Sequence, residues 1–243
     1  VRLIATALTY LLAASILFLA FPVALAVFVV TWPFDRHRLA TSRAVRLLGE
    51  ILLRAAPLWS VEIEGAYPPQ PGAFVVVPNH QSMIDALAVA CLPREAKWMG
   101  KASVFRFPWI GWAFHLCGHV PVLRGDRESG AAARARVRRY VEAGIPVGLF
   151  AEGTRSRDGT LRPFRAGPFK TAIETAVPIV PVAISGAGRA MAPDQPLLQP
   201  ARIRVRILPA IPTTGRRLED VDALREETRR AIAGALGEME RDP

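Results

Sequence analysis

This chain of 243 residues has little lysine, little acid and almost no cysteine. Lys97, Lys101 and Lys170 are its only lysines, so 28 of the 31 basic residues are arginine. Against them stand 21 acidic residues, and the formal net charge of +10 describes a surface that seeks anions: nucleic acid, anionic lipid or a phosphorylated small molecule. Cysteine is limited to Cys91 and Cys117, whose spacing fits neither a disulfide framework nor a zinc site. Both read as buried small hydrophobes. No G-x-x-x-x-G-K-[ST] phosphate loop occurs, so a nucleoside triphosphate is not indicated. Internal repeats and low-complexity linkers are lacking too. At this length one catalytic or binding unit plus an attachment is expected.

Charge is also missing from one whole stretch. From Leu3 to Phe34 no charged residue occurs, a run of 32 residues that as a helix would be about 48 Å long, more than a bilayer's hydrocarbon core requires. Residues 1–34 therefore read as membrane-embedded. A cleaved leader is the competing reading, since Ala24-Leu25-Ala26 has the small-residue form of a cleavage site, but apolar sequence continues through "VFVVTWPF". Pro22 divides the run, which allows one tilted span or a hairpin of two short helices. Arg36, Arg38, Arg43 and Arg46 follow at once, the basic cluster expected on the cytoplasmic side next to anionic headgroups. The soluble part is thus expected at the cytoplasmic face of the membrane.

Residues 35–60 carry Val45, Leu47, Leu48, Ile51 and Leu52 at helical spacing, predicting a connecting amphipathic helix. Beyond it, strands are predicted at 61–65, 73–78, 119–123, 145–151, 177–184 and 202–208, with helices at 82–92, 127–143, 165–176 and about 218–240. Strand and helix alternation of this kind predicts an α/β fold, a single mixed sheet covered by helices. Sites in such folds form at the carboxyl ends of strands.

One stretch at such an end is "PNHQSMIDA", residues 78–86. Ser82 with Asp85 three places on fits a helix-start capping box, which alone accounts for Asp85. It leaves Asn79 and His80 unexplained. A carboxylate one turn into the helix could instead reach back to the imidazole, fix its tautomer and ready it as a general base. A second stretch, "LFAEGTRSRDGTLRPFRAG", runs from a strand into a loop with Glu152, Gly153, Thr154 and Arg155, an Asp158-Gly159 turn, and then Arg162 and Arg165. Glycine lets a backbone approach closely, and guanidinium forks match phosphate. A solvated basic loop is the plainer alternative.

Together these residues resemble the glycerolipid acyltransferases, among them the bacterial 1-acylglycerol-3-phosphate acyltransferases. Four ordered blocks over about residues 75–184 carry the likeness: "NHQSMID", "KASVFRFPWIGWAFHLCGHVPVLR", "FAEGTRS" and "VPIVPVAI". The resemblance implies direct acyl transfer, with residues 61–243 as the acyltransferase domain. His80, oriented by Asp85, would take the proton from a lysophospholipid hydroxyl as it attacks the thioester of acyl-CoA or acyl-carrier protein. No further cofactor is implied, and no metal. Lys101, Arg124, Gly153 and Arg155 would hold the acceptor's phosphate, with Asn79 and Thr154 beside them, while Glu152 would orient the acceptor or its binding loop. Phe107, Pro108, Trp109, Ile110 and Trp112 would line the acceptor side or the lipid surface. Ala151 departs from the family's usual proline, which loosens the loop and puts the headgroup in question more than the chemistry.

Other features point elsewhere less well. His115 and His119 have the spacing of a helical metal pair, but Gly118 and Pro121 break that helix. "AISGAG" around Ser185 is a degenerate nucleophile elbow, read as a strand end and turn. The arginines of "ARARVRRYVEAG" come with one aromatic, thin support for nucleic acid, and no nucleic-acid partner is expected. Trp98, Trp109 and Trp112 could sit at headgroup level or fill the core. The competing functions are an acyltransferase for another lysophospholipid or a lyso-aminolipid, a hydrolase that uses the His-Asp pair on water or on Ser185, and a non-catalytic membrane-bound module that binds anionic lipid or nucleic acid.

Overall fold

The computed structural model describes residues 1–69, 71–156, 159–192 and 195–241. Asp158, and with it the Asp158-Gly159 turn, lies outside the described residues.

A seven-stranded mixed sheet organises the chain: β1 (Trp59–Glu64), β2 (Val75–Pro78), β3 (Lys97–Lys101), β4 (Val120–Val122), β5 (Val147–Leu149), β6 (Ile179–Ser185) and β7 (Ala201–Ile207), in the order β1-β7-β6-β2-β5-β3-β4. The β6, β2, β5, β3 and β4 strands run parallel, and β7 is antiparallel to β6 while parallel to β1. Buried runs such as Val75, Val76 and Val77 explain the central strands, because a strand covered on both faces needs apolar residues at every position. One face packs under α5 (Arg127–Glu142), α6 (Gly167–Glu174) and α8 (Val221–Arg241); the other packs under α2 (Leu39–Ala55) and the short α3 (Ile84–Ala88) and α7 (Ala187–Ala190).

All six expected strands are present. β3 was not foreseen: "KWMGK" has lysine at both ends and glycine within, so it lacks the apolar alternation that marks a strand. Its first residue, Lys97, is fully buried, and its ammonium donates to Arg38 O at 2.9 Å and to Cys117 O at 2.6 Å. Burial pulls its pKa down to about 8. Cys117 closes α4 (Ile110–Leu116), and Arg38 precedes α2, so this one side chain ties the sheet to both α4 and α2.

The apolar amino-terminal run forms one continuous helix, α1 (Arg2–Thr31), with Pro22 inside it, so the hairpin alternative does not hold. Thr6, Thr9, Ile16, Ala20 and Ala24 make up its buried residues, mostly small ones that allow close packing on α2 and α4. Both ends meet the globular body. At the start Arg2 Nε donates to Leu198 O at 3.0 Å and Tyr10 Oη to Pro196 O at 2.9 Å; after the end, Asp35 caps α2 by accepting from the Leu39 and Ala40 amides. In the middle, Phe18 and Phe21 pack on Trp109 and Trp112. Leu3, Ile4, Leu11, Val29 and Val30 stay exposed on the outer face.

The basic cluster splits. Arg36 and Arg43 are exposed as expected, whereas Arg38 donates to His115 O and Arg46 to Glu95 and to the Ala90 and Leu92 carbonyls. Two of the four arginines therefore serve the junction rather than a headgroup, because the end of a helix presents unpaired carbonyls that a guanidinium can satisfy.

Candidate active site

Four parallel strands deliver their carboxyl ends to one edge. His80 lies two residues past β2, Lys101 ends β3, Arg124 lies two residues past β4, and Glu152 to Arg155 follow β5 within six residues. Residues far apart in sequence are thus grouped by strand direction alone.

At this edge His80 Nδ1 and Asp85 Oδ2 are 2.9 Å apart. The same oxygen accepts from the Gln81 amide at 2.6 Å and the Ser82 amide at 2.8 Å, so the helix-start reading and the imidazole-orienting reading are both satisfied by one atom. Asp85 is fully buried, and its Oδ1 has no hydrogen-bond partner. Because a carboxylate can only accept, Nδ1 carries the proton of the neutral ring and the lone pair is left on Nε2. The imidazole is 16% exposed. Its ring rests on Phe150 at 4.2 Å between centroids, and Phe150 on Trp98 at 5.6 Å. Trp98 can lie flat there because Gly148 has no Cβ, which would overlap the indole ring at Cε3 and Cζ3.

The backbone of His80 is held from both sides. Its N–H donates to Glu152 Oε1 at 2.6 Å, and its carbonyl accepts from the Ser156 amide at 2.8 Å. Glu152 Oε2 accepts from the Arg162 amide at 3.0 Å. Burial raises the Glu152 pKa, against the pull of those two amides. This carboxylate is buried with both oxygens occupied, so of the two roles expected for it, orienting the acceptor or its binding loop, its hydrogen bonds serve the loop. Asn79 is a correction. It has no exposed surface, its Nδ2 donates to Ile184 O at 2.9 Å and its Oδ1 accepts from the Ile184 amide at 2.7 Å. An amide spent on both polar groups of one β6 residue is a strut between strand ends and has nothing to offer a headgroup.

The remaining site residues stand open. Lys101, Arg124, Thr154 and Arg155 are exposed. Partial desolvation, and next the charge of Arg165, lower the Arg124 pKa. Among the described residues no carboxylate lies within ion-pair distance of Lys101, Arg124, Arg155, Arg162 or Arg165. Gly153 has φ +69°, which a side chain disfavours. Sequence reasoning misses Phe150 and reads Arg165 only as one of the loop's phosphate-matching arginines; both belong to the second quoted stretch, and what distinguishes them is the ring under His80 and the chain reversal after Gly153.

The other histidines and Ser185 fall away. His119 is buried with Nδ1 accepting the Trp98 amide at 3.2 Å, and burial, with the charges of Lys97 and Arg136, pushes its pKa down to about 3. His115 points its ring at Phe105. Ser185 ends β6 in register with Arg204, before a left-handed turn at Gly186, and no hydrogen bond joins it to His80 among the described residues. Trp98 belongs to the core, whereas Trp109 and Trp112 are exposed beside α1.

A family model described as Acyltransferase matches residues 60–185, more than half of the chain, from β1 to the end of β6. The chain belongs to the acyltransferase family. Among relatives of this acyltransferase, the 1-acyl-sn-glycerol-3-phosphate acyltransferase of Chlamydomonas reinhardtii is 33% identical over 206 residues, 84% of this chain and 60% of that one. The 1-acyl-sn-glycerol-3-phosphate acyltransferase alpha of Homo sapiens is 32% identical over 215 residues, 82% of this chain and 72% of its own length. The chain spans less than two thirds of the algal relative's length. The crystal structure of the 1-acyl-sn-glycerophosphate (LPA) acyltransferase PlsC from Thermotoga maritima superposes with a TM-score of 0.79 at 22% identity, over 98% of this chain and 96% of that one. That likeness extends the acyltransferase fold to α1 and α2.

Proposed function

We propose that this protein transfers an acyl chain from a thioester, acyl-CoA or acyl-carrier protein, to the free hydroxyl of 1-acylglycerol-3-phosphate, giving phosphatidic acid. The observation that carries the reading is the His80–Asp85 contact of 2.9 Å at an edge whose cations have no acidic partner among the described residues. His80 Nε2 takes the hydroxyl proton as the oxygen attacks the thioester carbonyl, and Asp85 stabilises the imidazolium that forms. The tetrahedral intermediate expels the thiolate, which receives that proton, so the enzyme returns to its starting state without an acyl-enzyme. Lys101, Arg124 and Arg155, with the backbone at Thr154, receive the headgroup phosphate, while the Gly153 amide already donates to Phe150 O at 3.1 Å and shapes the turn. The chemistry calls on no metal and no organic cofactor. The names of the algal and human relatives support this acceptor.

The catalytic domain sits at the cytoplasmic face of the membrane. α1 is about 45 Å long by rise per residue, and both its ends are bonded to one globular body, so it lies along the bilayer surface and sinks its outer apolar face into a single leaflet. Exposed Arg36 and Arg43 meet anionic headgroups.

Thiol release by the purified chain with a panel of lysophospholipids tests the reading. Release that requires 1-acylglycerol-3-phosphate and is lost in both His80→Ala and Asp85→Asn is expected. Release that continues without any acceptor would make the protein a hydrolase, and release that survives both substitutions would remove the dyad from the chemistry.

A further inference from the structure

The loop that follows β5 doubles back on itself. The Arg165 amide donates to Ala151 O at 2.8 Å, which lays the approach to α6 against the start of the loop. At the same place a Cβ on Gly153 would overlap Arg165 Nε and stand 2.8 Å from Cδ and 3.0 Å from Cζ. The guanidinium therefore covers the bare α-carbon of Gly153, one residue from the carboxylate that holds His80. Its side chain is exposed, and no carboxylate among the described residues pairs with it. Arg124, beyond β4, is close enough for the two like charges to interact. Two guanidiniums that feel one another's charge, with no acid paired to either among the described residues, repel, and the arrangement becomes favourable when a doubly charged anion sits between them.

Resting on the acyl-transfer reading above, we propose that Arg165 is a specificity-determining residue that selects acceptors bearing a phosphate monoester over acceptors without one. Gly153 then has two reasons to be glycine: its positive φ, and the space the guanidinium occupies. Arg165 acts on the headgroup, away from the reacting hydroxyl, so its loss weakens acceptor binding and leaves the chemical step in place.

Steady-state thiol release by the full chain in phosphatidylcholine vesicles tests this, with 1-acylglycerol-3-phosphate as the varied acceptor and 1-monoacylglycerol as the same hydroxyl without phosphate. Loss of a hydrogen bond to a charged group is worth about ten- to a hundredfold, so Arg165→Met is expected to raise KM for the phosphate acceptor by about that factor. kcat stays within about threefold, and Arg165→Lys recovers most of the loss. Turnover of monoacylglycerol does not change. An unchanged KM in Arg165→Met, an equal rise for both acceptors, or a rise in KM for acyl-CoA instead would each overturn the proposal. Titration calorimetry with glycerol 3-phosphate separates it from the underlying reading. A wild-type chain that binds this probe but transfers no acyl group would fail the reading alone, while equal binding by wild type and Arg165→Met would fail the proposal alone.

Discussion

Glu152 Oε1 accepts the backbone N–H of His80 at 2.6 Å, so an acid on the loop after β5 sets the place of an imidazole on the loop after β2. Its other oxygen holds the Arg162 amide. Glu152→Ala leaves two amides without acceptors, and each such loss costs about 1–3 kcal/mol. Thermal unfolding should register that cost, and thiol release should show kcat falling about a hundredfold with the acceptor KM little changed. Glu152→Gln, which keeps one acceptor oxygen, should recover part of both. A KM effect larger than the kcat effect would return Glu152 to the ligand.

Asn79 gives the opposite signature. Its amide satisfies both polar groups of Ile184 in a fully buried place, so Asn79→Ala should destabilise the fold by about 2–4 kcal/mol and lower Tm by roughly 4–16 °C for a chain of this size. The surviving folded enzyme should bind the acceptor normally. An unshifted Tm with a raised KM would mean that the side chain faces substrate.

Lys97 makes stability depend on pH. Its folded pKa of about 8 lies below the ordinary lysine value of 10.5, so between these values the folded state holds fewer protons than the unfolded state. The cost of the buried charge is fully present below the folded value and is relieved as pH rises through the window. Wild type should therefore gain on Lys97→Met by up to about 1.4 kcal/mol per pH unit over that window. Paired denaturant titrations at pH 8 and pH 10 measure it, and a constant difference would place the ammonium in contact with water.

The lie of α1 is open to chemical labelling, because Cys91 and Cys117 are buried and give no background. In vesicles, Arg2→Cys and Ser60→Cys should react with a membrane-impermeant maleimide added to the same side. Labelling from opposite sides would mean that the helix crosses the bilayer.

Much of this molecule is written in local pattern. The run from Leu3 to Phe34, the valine-rich strands and the alternation of strand with helix follow from hydrophobic burial, which needs only nearby residues to be read. The pairing of His80 with Asp85 is equally local: five positions span one turn into a helix, and the same carboxylate oxygen serves cap and imidazole. β3 escaped because its ends are lysines, and Lys97 is tolerated inside through the carbonyls of Arg38 and Cys117, 59 and 20 residues away. Asn79 and Glu152 looked like ligand contacts for the same reason. Their residue types fit a phosphate or a hydroxyl, but their hydrogen bonds are taken by Ile184, His80 and Arg162, partners that come within reach only when β2, β5 and β6 lie side by side. Arg38 and Arg46 turned inward, and Arg165 came to rest on Gly153, by the same rule. Sequence determines which groups can donate, accept or carry charge; the packed sheet decides which of them are already satisfied, and so which are left for a substrate.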